Sequence, residues 1–170
     1  MVFSDEDGER AEAYRILADL YSEPPQEEQL DAIKGDLELN STESADEIRA
    51  DFQSLFVYPG GRIPPLESLF LSRASIPPVT PVTEFYAGAD LTIEEEFEMM
   101  PDHISLEFLF MSYLIDIKNT DLQAKFLEEH LMNWVPYYCE EVKREAQTLF
   151  YKEIAGVTVD FLDSEHDSFE

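Results

Sequence analysis

Apolar residues recur at helical spacing along most of the chain, which predicts an all-α protein with a single bundle of about eight or nine helices. The first predicted helix spans 9–21 and a second, weaker one spans 26–39. A third helix is predicted after Ser44, because Ser44 and Glu47 form the capping-box pattern that is typical of a helix start. This helix should end before Tyr58, where a Pro-Gly-Gly turn follows.

The longest apolar-rich segment, 100–118, predicts a helix at the centre of the bundle. Its apolar residues fall on all faces, so other helices should surround it. Glu107 and Asp116 interrupt the segment, which falls short of the roughly 18 uninterrupted apolar residues that a membrane span needs. Pro101 and Asp102 are expected to open this helix, with the Asp102 side chain capping its first N–H groups.

Further helices are predicted on both sides of this segment. They begin at Pro81, at Thr120 with Gln123 as its capping-box partner, and at Pro136. The short helix from Pro81 should end near Gly88, before an acidic connection over 90–98 that contains a helical turn. Gly156 should end the helix from Pro136. The alternation over 157–162 would suit a strand, but an isolated strand has no partner, so we predict a last helix and a frayed tail over 163–170.

A long proline-rich connection separates the first three helices from the rest. It spans residues 58–81 and contains six prolines, and its PPLESLFLS segment can form a short helix after the proline pair. Long connections of this kind are often functional, although the pattern alone slightly favours a semi-rigid strap that links two helical halves. The length of 170 residues suits one domain, 1–170, and no internal repeat is visible.

The charge of the chain excludes several kinds of partner. Thirty-eight acidic and eleven basic residues give a net charge of −27, so nucleic acid and membrane surfaces are not expected to bind. A salt-rich cytoplasm favours such acidity, because salt screens the self-repulsion. The segment 74–117 contains no Lys or Arg at all, so it would also attract a basic ligand.

No pattern indicates an enzyme or a metal protein. His103 and Glu107 share one helix face, but two ligands are too few, and His130 is expected on the polar side of its helix. No nucleophile motif, Walker loop or dinucleotide fingerprint occurs. The single Cys139 cannot form an internal disulfide and the acidic N-terminus does not match a signal peptide, so we expect a cytoplasmic protein.

Three motifs in order resemble the TorD/DmsD/NarJ family of redox-enzyme maturation chaperones. They are LFVYPGGRIPPLESLF over 55–70, MPDHISLEFLFM over 100–111 and FLEEHLMNWVPYY over 126–138. The likeness extends from about residue 14 to 162, and the second motif is the most specific. Leu66 departs from the pattern, since relatives often have an aromatic residue there.

The resemblance implies an all-helical cytoplasmic chaperone without catalytic activity. Such proteins bind the twin-arginine signal peptide or the apo-form of a dimethyl sulfoxide reductase-type molybdoenzyme, delay its export and assist insertion of its molybdopterin cofactor. The residues that match the family's binding motifs are Pro101, Asp102, His103, Glu107, Tyr58, Pro59, Pro64, Pro65, Glu67 and Ser68. Asp102, Glu107 and Glu67 would offer carboxylates to arginine, beside an apolar groove. Asp102 could instead act only as a helix cap.

Two other classes remain open. One is an assembly factor that docks on the body of a cytoplasmic redox enzyme subunit without reading a signal peptide. The other is a small helical enzyme or a nucleotide-binding protein. The resemblance suggests weak guanine-nucleotide binding, although no phosphate loop is visible and no other cofactor is expected on this chain. The protein should be a monomer or a dimer formed by helix exchange through the long proline-rich connection.

Overall fold

The chain folds into a bundle of α-helices, as its apolar spacing predicts. The structure is a computed structural model that describes residues 6–75, 81–92 and 100–170. The helices are α1 (Glu6–Ser22), α2 (Glu27–Asp36), α3 (Ala45–Phe56), α4 (Glu67–Arg73), α5 (Val82–Gly88), α6 (Ile104–Asp116), α7 (Thr120–Phe126), α8 (Met132–Glu145) and α9 (Leu149–Ser168). A π-helical turn, Leu127–Leu131, joins α7 to α8 in one continuous rod.

The α6 helix lies at the centre of the bundle and packs along α1. Phe108 on α6 contacts the rings of Tyr14 and Tyr21 on α1, with centroid distances of 5.9 and 6.2 Å. The Ser105 hydroxyl donates a hydrogen bond to the Ala18 carbonyl at 2.7 Å, so a polar residue also fits this close contact. The prediction of a central helix is confirmed, although Leu109 on α6 keeps 42% of its surface exposed.

The α9 helix closes the other side of the bundle against α8 and α3. Tyr151 packs edge-on against Phe56 at 5.3 Å, and the Tyr21 hydroxyl lies 2.9 Å from that of Thr158. These contacts hold α9 against α3 and α1. No helix of the described residues combines the length and apolar content needed to cross a bilayer.

The rod of α7, the π turn and α8 differs from the prediction at Pro136. This proline lies inside α8 and does not begin a helix. Upstream of it, the N–H of Met132 bonds to the Leu127 carbonyl five residues back, which is the hydrogen bond of a π turn. The extra residue in the turn shifts the helical register. As a result His130 is buried, whereas we expected it on the polar side.

The capping residue of α7 was also predicted wrongly. Asn119 caps α7 by accepting the N–H of Leu122, whereas Thr120 is the first residue inside the helix. The side chain of Gln123 donates instead to the Leu114 carbonyl at 3.1 Å and fixes α7 to the end of α6. A capping box between Thr120 and Gln123 was therefore wrong, because a neighbouring Asn performs the same chemistry one residue earlier.

The break between the last two helices lies earlier than expected, before Leu149 instead of at Gly156. Thr148 caps α9 through its hydroxyl, and the buried Asp51 carboxylate accepts the N–H groups of Gln147 and Thr148. The chain therefore turns at 146–148, and α9 continues through Gly156 without a break. The tail that we expected to fray is helical as far as Ser168.

Several local predictions are confirmed. Ser44 accepts the N–H of Glu47 and starts α3, and the proline-rich connection contains α4 where the PPLESLFLS segment predicts it. The short helix after Pro81 ends at Gly88. The predicted helical turn within the acidic connection 90–98 falls largely on residues outside those that the structure describes.

Candidate functional site

The starts of α4 and α6 lie side by side, although 37 positions separate Glu67 from Ile104 in the sequence. The Ile104 N–H donates to the Pro65 carbonyl at 2.9 Å, and the Glu67 N–H donates to the Asp102 carbonyl at 3.1 Å. Between these two bonds, Leu66 and His103 form an isolated antiparallel bridge. The proline-rich motif over 55–70 and the motif over 100–111 are thus joined at their backbones, and we call this contact the junction.

Asp102 and His103 each cap a helix at this junction, but not in the way the sequence suggests. The Asp102 carboxylate accepts the Ser68 N–H at 2.6 Å, so it caps α4 instead of its own helix. His103 caps α6, because its Nδ1 accepts the Ser105 N–H at 3.1 Å. Burial lowers the pKa of His103 to about 4, although the Asp102 charge acts in the opposite direction. The imidazole is therefore neutral near pH 7, as an accepting Nδ1 requires.

Two tyrosine hydroxyls fix the loops that form the junction. Tyr86 on α5 donates to the Pro101 carbonyl at 2.8 Å, and Tyr138 on α8 donates to the Ile63 carbonyl at 2.6 Å. Pro64 and Pro65 are buried, so they contribute packing and, from Pro65, a backbone acceptor, but little accessible surface. Both motifs are consequently held by the body of the bundle.

A surface cleft of about 480 Å³ opens at the junction. It is lined by Tyr58, Leu66, Ser68, Leu69, Ser72, Met100 and Asp102. Tyr58 is 55% exposed, and the adjacent Pro59 is also exposed. Asp102 keeps one carboxylate oxygen that forms no hydrogen bond within the described residues. The cleft therefore combines an acceptor for a cation with aromatic and apolar walls.

A buried acid cluster, comprising Glu67, Glu107, His130 and Trp134, lies behind this junction. His130 Nδ1 is 2.8 Å from both Glu67 carboxylate oxygens, and the Trp134 indole N–H donates to Glu107 at 3.0 Å. All four side chains are at most 5% exposed. Burial, followed by the charge of Glu67, raises the pKa of Glu107 well above its ordinary value.

The structure thus divides the ten predicted site residues into two groups. Tyr58, Ser68 and Asp102 line the cleft, with Pro59, Pro101 and His103 beside them, and these six residues are at least partly exposed. Pro64, Pro65, Glu67 and Glu107 are buried, so the two glutamates do not face a ligand in the cleft. Asp102 is the only one of the three proposed arginine partners that lines the cleft.

Sequence reasoning missed several residues that the fold brings to this region. Leu66, Leu69, Ser72 and Met100 join the cleft lining. Glu67, Glu107 and His130 each offer one ligand atom within 4.8 Å of the others, a spacing that a metal ion could use. His130 lies 63 residues from Glu67, so no local spacing signalled this cluster.

Comparison with known proteins finds similar proteins over most of the chain. A family model described as nitrate reductase delta subunit matches residues 20–140, which include both the cleft and the buried acid cluster. A chaperone protein TorD from Shewanella piezotolerans is 23% identical over 166 residues, which cover 91% of this chain and 77% of that protein. A TorD chaperone from Psychrobacter is 26% identical over 173 residues, with 92% and 77% covered.

A further relative has a more specific name. The probable Tat proofreading chaperone DmsD from Haemophilus influenzae is 25% identical over 116 residues, which cover 66% of this chain and 57% of that protein.

Proposed function

The chain belongs to the nitrate reductase delta subunit family, and from this premise we propose that it is a maturation chaperone for a molybdenum-containing redox enzyme. In this proposal the chaperone binds the twin-arginine signal peptide of the enzyme precursor in the surface cleft at the starts of α4 and α6. It would delay export until the molybdopterin cofactor has been inserted into the enzyme. The names of similar proteins, TorD chaperones and a Tat proofreading chaperone, support this role.

The composition of the cleft is the observation that carries the proposal. A twin-arginine leader presents guanidinium groups followed by an apolar segment. Asp102 offers a carboxylate oxygen to a guanidinium, while Leu66, Leu69 and Met100 offer apolar walls and Tyr58 an exposed ring. Arginine also stacks on aromatic rings, so Tyr58 suits the same group.

The charge of the whole chain favours the same ligand. A net charge of −27 attracts a cationic segment from solution and speeds its encounter with the cleft. Salt screens this attraction, and an exposed ion pair contributes only about 0–1 kcal/mol. We therefore expect the apolar part of the leader to supply most of the affinity, so that binding persists in high salt.

Calorimetric titration with a leader peptide tests the proposal. The peptide should come from a molybdoenzyme of the source organism, and a control peptide should carry Gln in place of both arginines. Saturable binding that weakens with the control supports a leader-reading chaperone. Equal binding of both peptides, or binding of neither, would contradict recognition of the arginine pair.

A second candidate function is docking on the body of the redox enzyme without use of a leader. The family description favours it, since it names a subunit of nitrate reductase. An exposed apolar surface outside the cleft is also present, with Leu109 and Ile117 on α6 and the following turn 42% and 47% exposed. Co-purification with a leaderless apo-enzyme would favour this candidate, whereas co-purification that requires the leader would contradict it.

A further inference from the structure

The buried acid cluster joins the same two helices whose starts form the cleft. Glu67 is the first residue of α4, and Glu107 lies in the first turn of α6. The neighbours of Glu67 in sequence, Leu66 and Ser68, line the cleft, while the Glu67 side chain points inward to His130. Repulsion or attraction between the two carboxylates therefore acts between the start of α4 and the start of α6.

The groups that face these two carboxylates supply little positive charge. They are Asp102 before α6, Tyr86 on α5, His130 on the π turn and Trp134 on α8. Within the described ranges, neither Glu67 nor Glu107 forms an ion pair with Lys or Arg. An imidazolium at His130 would balance one carboxylate at most. A second ionised carboxylate would then be buried without compensation, which proteins avoid.

A proton on Glu107 resolves this imbalance. Glu107 accepts one hydrogen bond, from Trp134 to Oε1, while its Oε2 is buried and receives no N–H or O–H donor from the described residues. One carboxylate oxygen of Glu107 lies within 4.8 Å of one of Glu67, and burial together with the charge of Glu67 raises the pKa of Glu107. A protonated Glu107 can therefore donate to Glu67 while it still accepts from Trp134.

We propose that Glu107 is a positioning residue whose carboxyl proton, shared with Glu67, holds the starts of α4 and α6 in the arrangement that forms the cleft. When the proton is lost, two like charges face each other in a buried site and drive the two helix starts apart. Ser68 and Asp102 would then separate, and the cleft would lose its shape. The effect on ligand affinity rests on the proposed function, whereas the shared proton does not.

The direction of the pH dependence follows from the raised pKa of Glu107. Folding favours the protonated form, so its stabilisation is complete below the ordinary carboxyl pKa. It decreases as pH rises from that value toward the pKa in the folded protein. Both the order of the junction and the affinity of the cleft should consequently decrease with rising pH.

Glu107→Gln is the informative variant, because a glutamine amide resembles a protonated carboxyl. Its NH₂ can donate to Glu67 and its carbonyl can accept from Trp134, and it has no proton to lose. Glu84→Gln on the exposed surface of α5 is the matched control, since it removes one carboxylate outside the cluster. Glu84 takes no part in the cleft.

Infrared spectroscopy at pH 7 tests the proton directly. Exposed carboxyls are ionised at this pH, so a protonated carboxyl band should report the cluster. We expect this band in the wild type and in Glu84→Gln, and its absence in Glu107→Gln. No band in the wild type, or a band that persists in Glu107→Gln, would overturn the proposal. So would a stoichiometric divalent metal that the wild type retains and Glu107→Gln does not, because the metal would replace the proton.

Hydrogen exchange tests positioning without any ligand. The N–H groups of Glu67 and Ile104 form the two backbone bonds of the junction. Their protection should decrease with pH in the wild type and in Glu84→Gln, but not in Glu107→Gln, after correction for the intrinsic pH dependence of exchange. Equal profiles in all three proteins would contradict a positioning role even if the shared proton exists.

A leader-peptide titration across pH links the cluster to the cleft. The wild-type affinity should decrease by up to about tenfold per pH unit once Glu107 ionises, as expected when only the protonated form is competent to bind. Glu107→Gln should retain its affinity over the same range. If no peptide binds at any pH while the infrared and exchange results hold, the proposed function fails and the positioning role of Glu107 stands.

Discussion

Replacing Asp102 with asparagine separates its two possible roles. Asp102 accepts the Ser68 N–H at 2.6 Å and keeps a second carboxylate oxygen in the cleft. Asparagine retains an acceptor for Ser68, and it caps helices as well as aspartate does. It removes the negative charge that a guanidinium would bind. Alanine at position 102 removes both functions and therefore serves as the comparison.

The expected magnitudes differ between stability and binding. Loss of a cap costs about 1 kcal/mol, so Asp102→Ala should lower the free energy of unfolding by about this amount and Asp102→Asn by only a few tenths. Asp102 is partly exposed, so its ion pair with a leader arginine should be worth about 1 kcal/mol after screening. Both variants should therefore bind the leader roughly fivefold more weakly.

A double-mutant cycle provides the decisive assay. Wild type and Asp102→Asn are each titrated with the leader and with the leader whose arginines are Gln. Replacing the arginines by Gln should weaken binding to the wild type. The same replacement should cost about 1 kcal/mol less binding free energy with Asp102→Asn. If the arginines contribute equally to binding by both proteins while Asp102→Ala is less stable, Asp102 is a helix cap only and the reasoning is refuted.

Three further predictions concern the scaffold. Asp51→Ala should lower the free energy of unfolding, measured by urea denaturation, by about 2–4 kcal/mol, because the buried N–H and hydroxyl of Thr148 lose their acceptor. A loss below about 1 kcal/mol would contradict this. Gly61→Ala should destabilise more than Gly60→Ala, since a Cβ at 61 would lie 2.7 Å from two backbone oxygens while position 60 is open; equal melting temperatures would argue against it. Burial raises the pKa of Cys139 to about 12, so a thiol reagent should modify it only after unfolding; rapid labelling of the native protein would disprove this.

The sequence predicted the helices well where local signals were unambiguous. Ser44 and Glu47 were correctly read as a helix start, and the prolines before α4 and α5 indicated two short helices. It failed where two residues compete for one role or where tertiary contacts decide. Asn119 caps α7 in place of Thr120, and Gly156 is carried inside α9 because the helix is packed along α8.

The sequence predicted some residues of the cleft but neither its full lining nor its geometry. Motif resemblance identified Asp102 and Ser68, but only the fold shows that Asp102 caps the helix of Ser68. The burial of Glu67 with His130 depends on a π turn, which apolar spacing does not reveal. Residues that act through long-range pairing cannot be placed by local spacing alone.

The most direct test of the account is to map where a leader peptide contacts the chain. A photoreactive group placed next to the arginine pair would crosslink the bound peptide, and mass spectrometry would identify the modified residues. We expect crosslinks to Tyr58, Leu69 and Met100, which line the cleft with Asp102. Saturable crosslinks confined to other surfaces, such as the exposed side of α6 at Leu109, would contradict the assignment of this cleft as the leader-binding site.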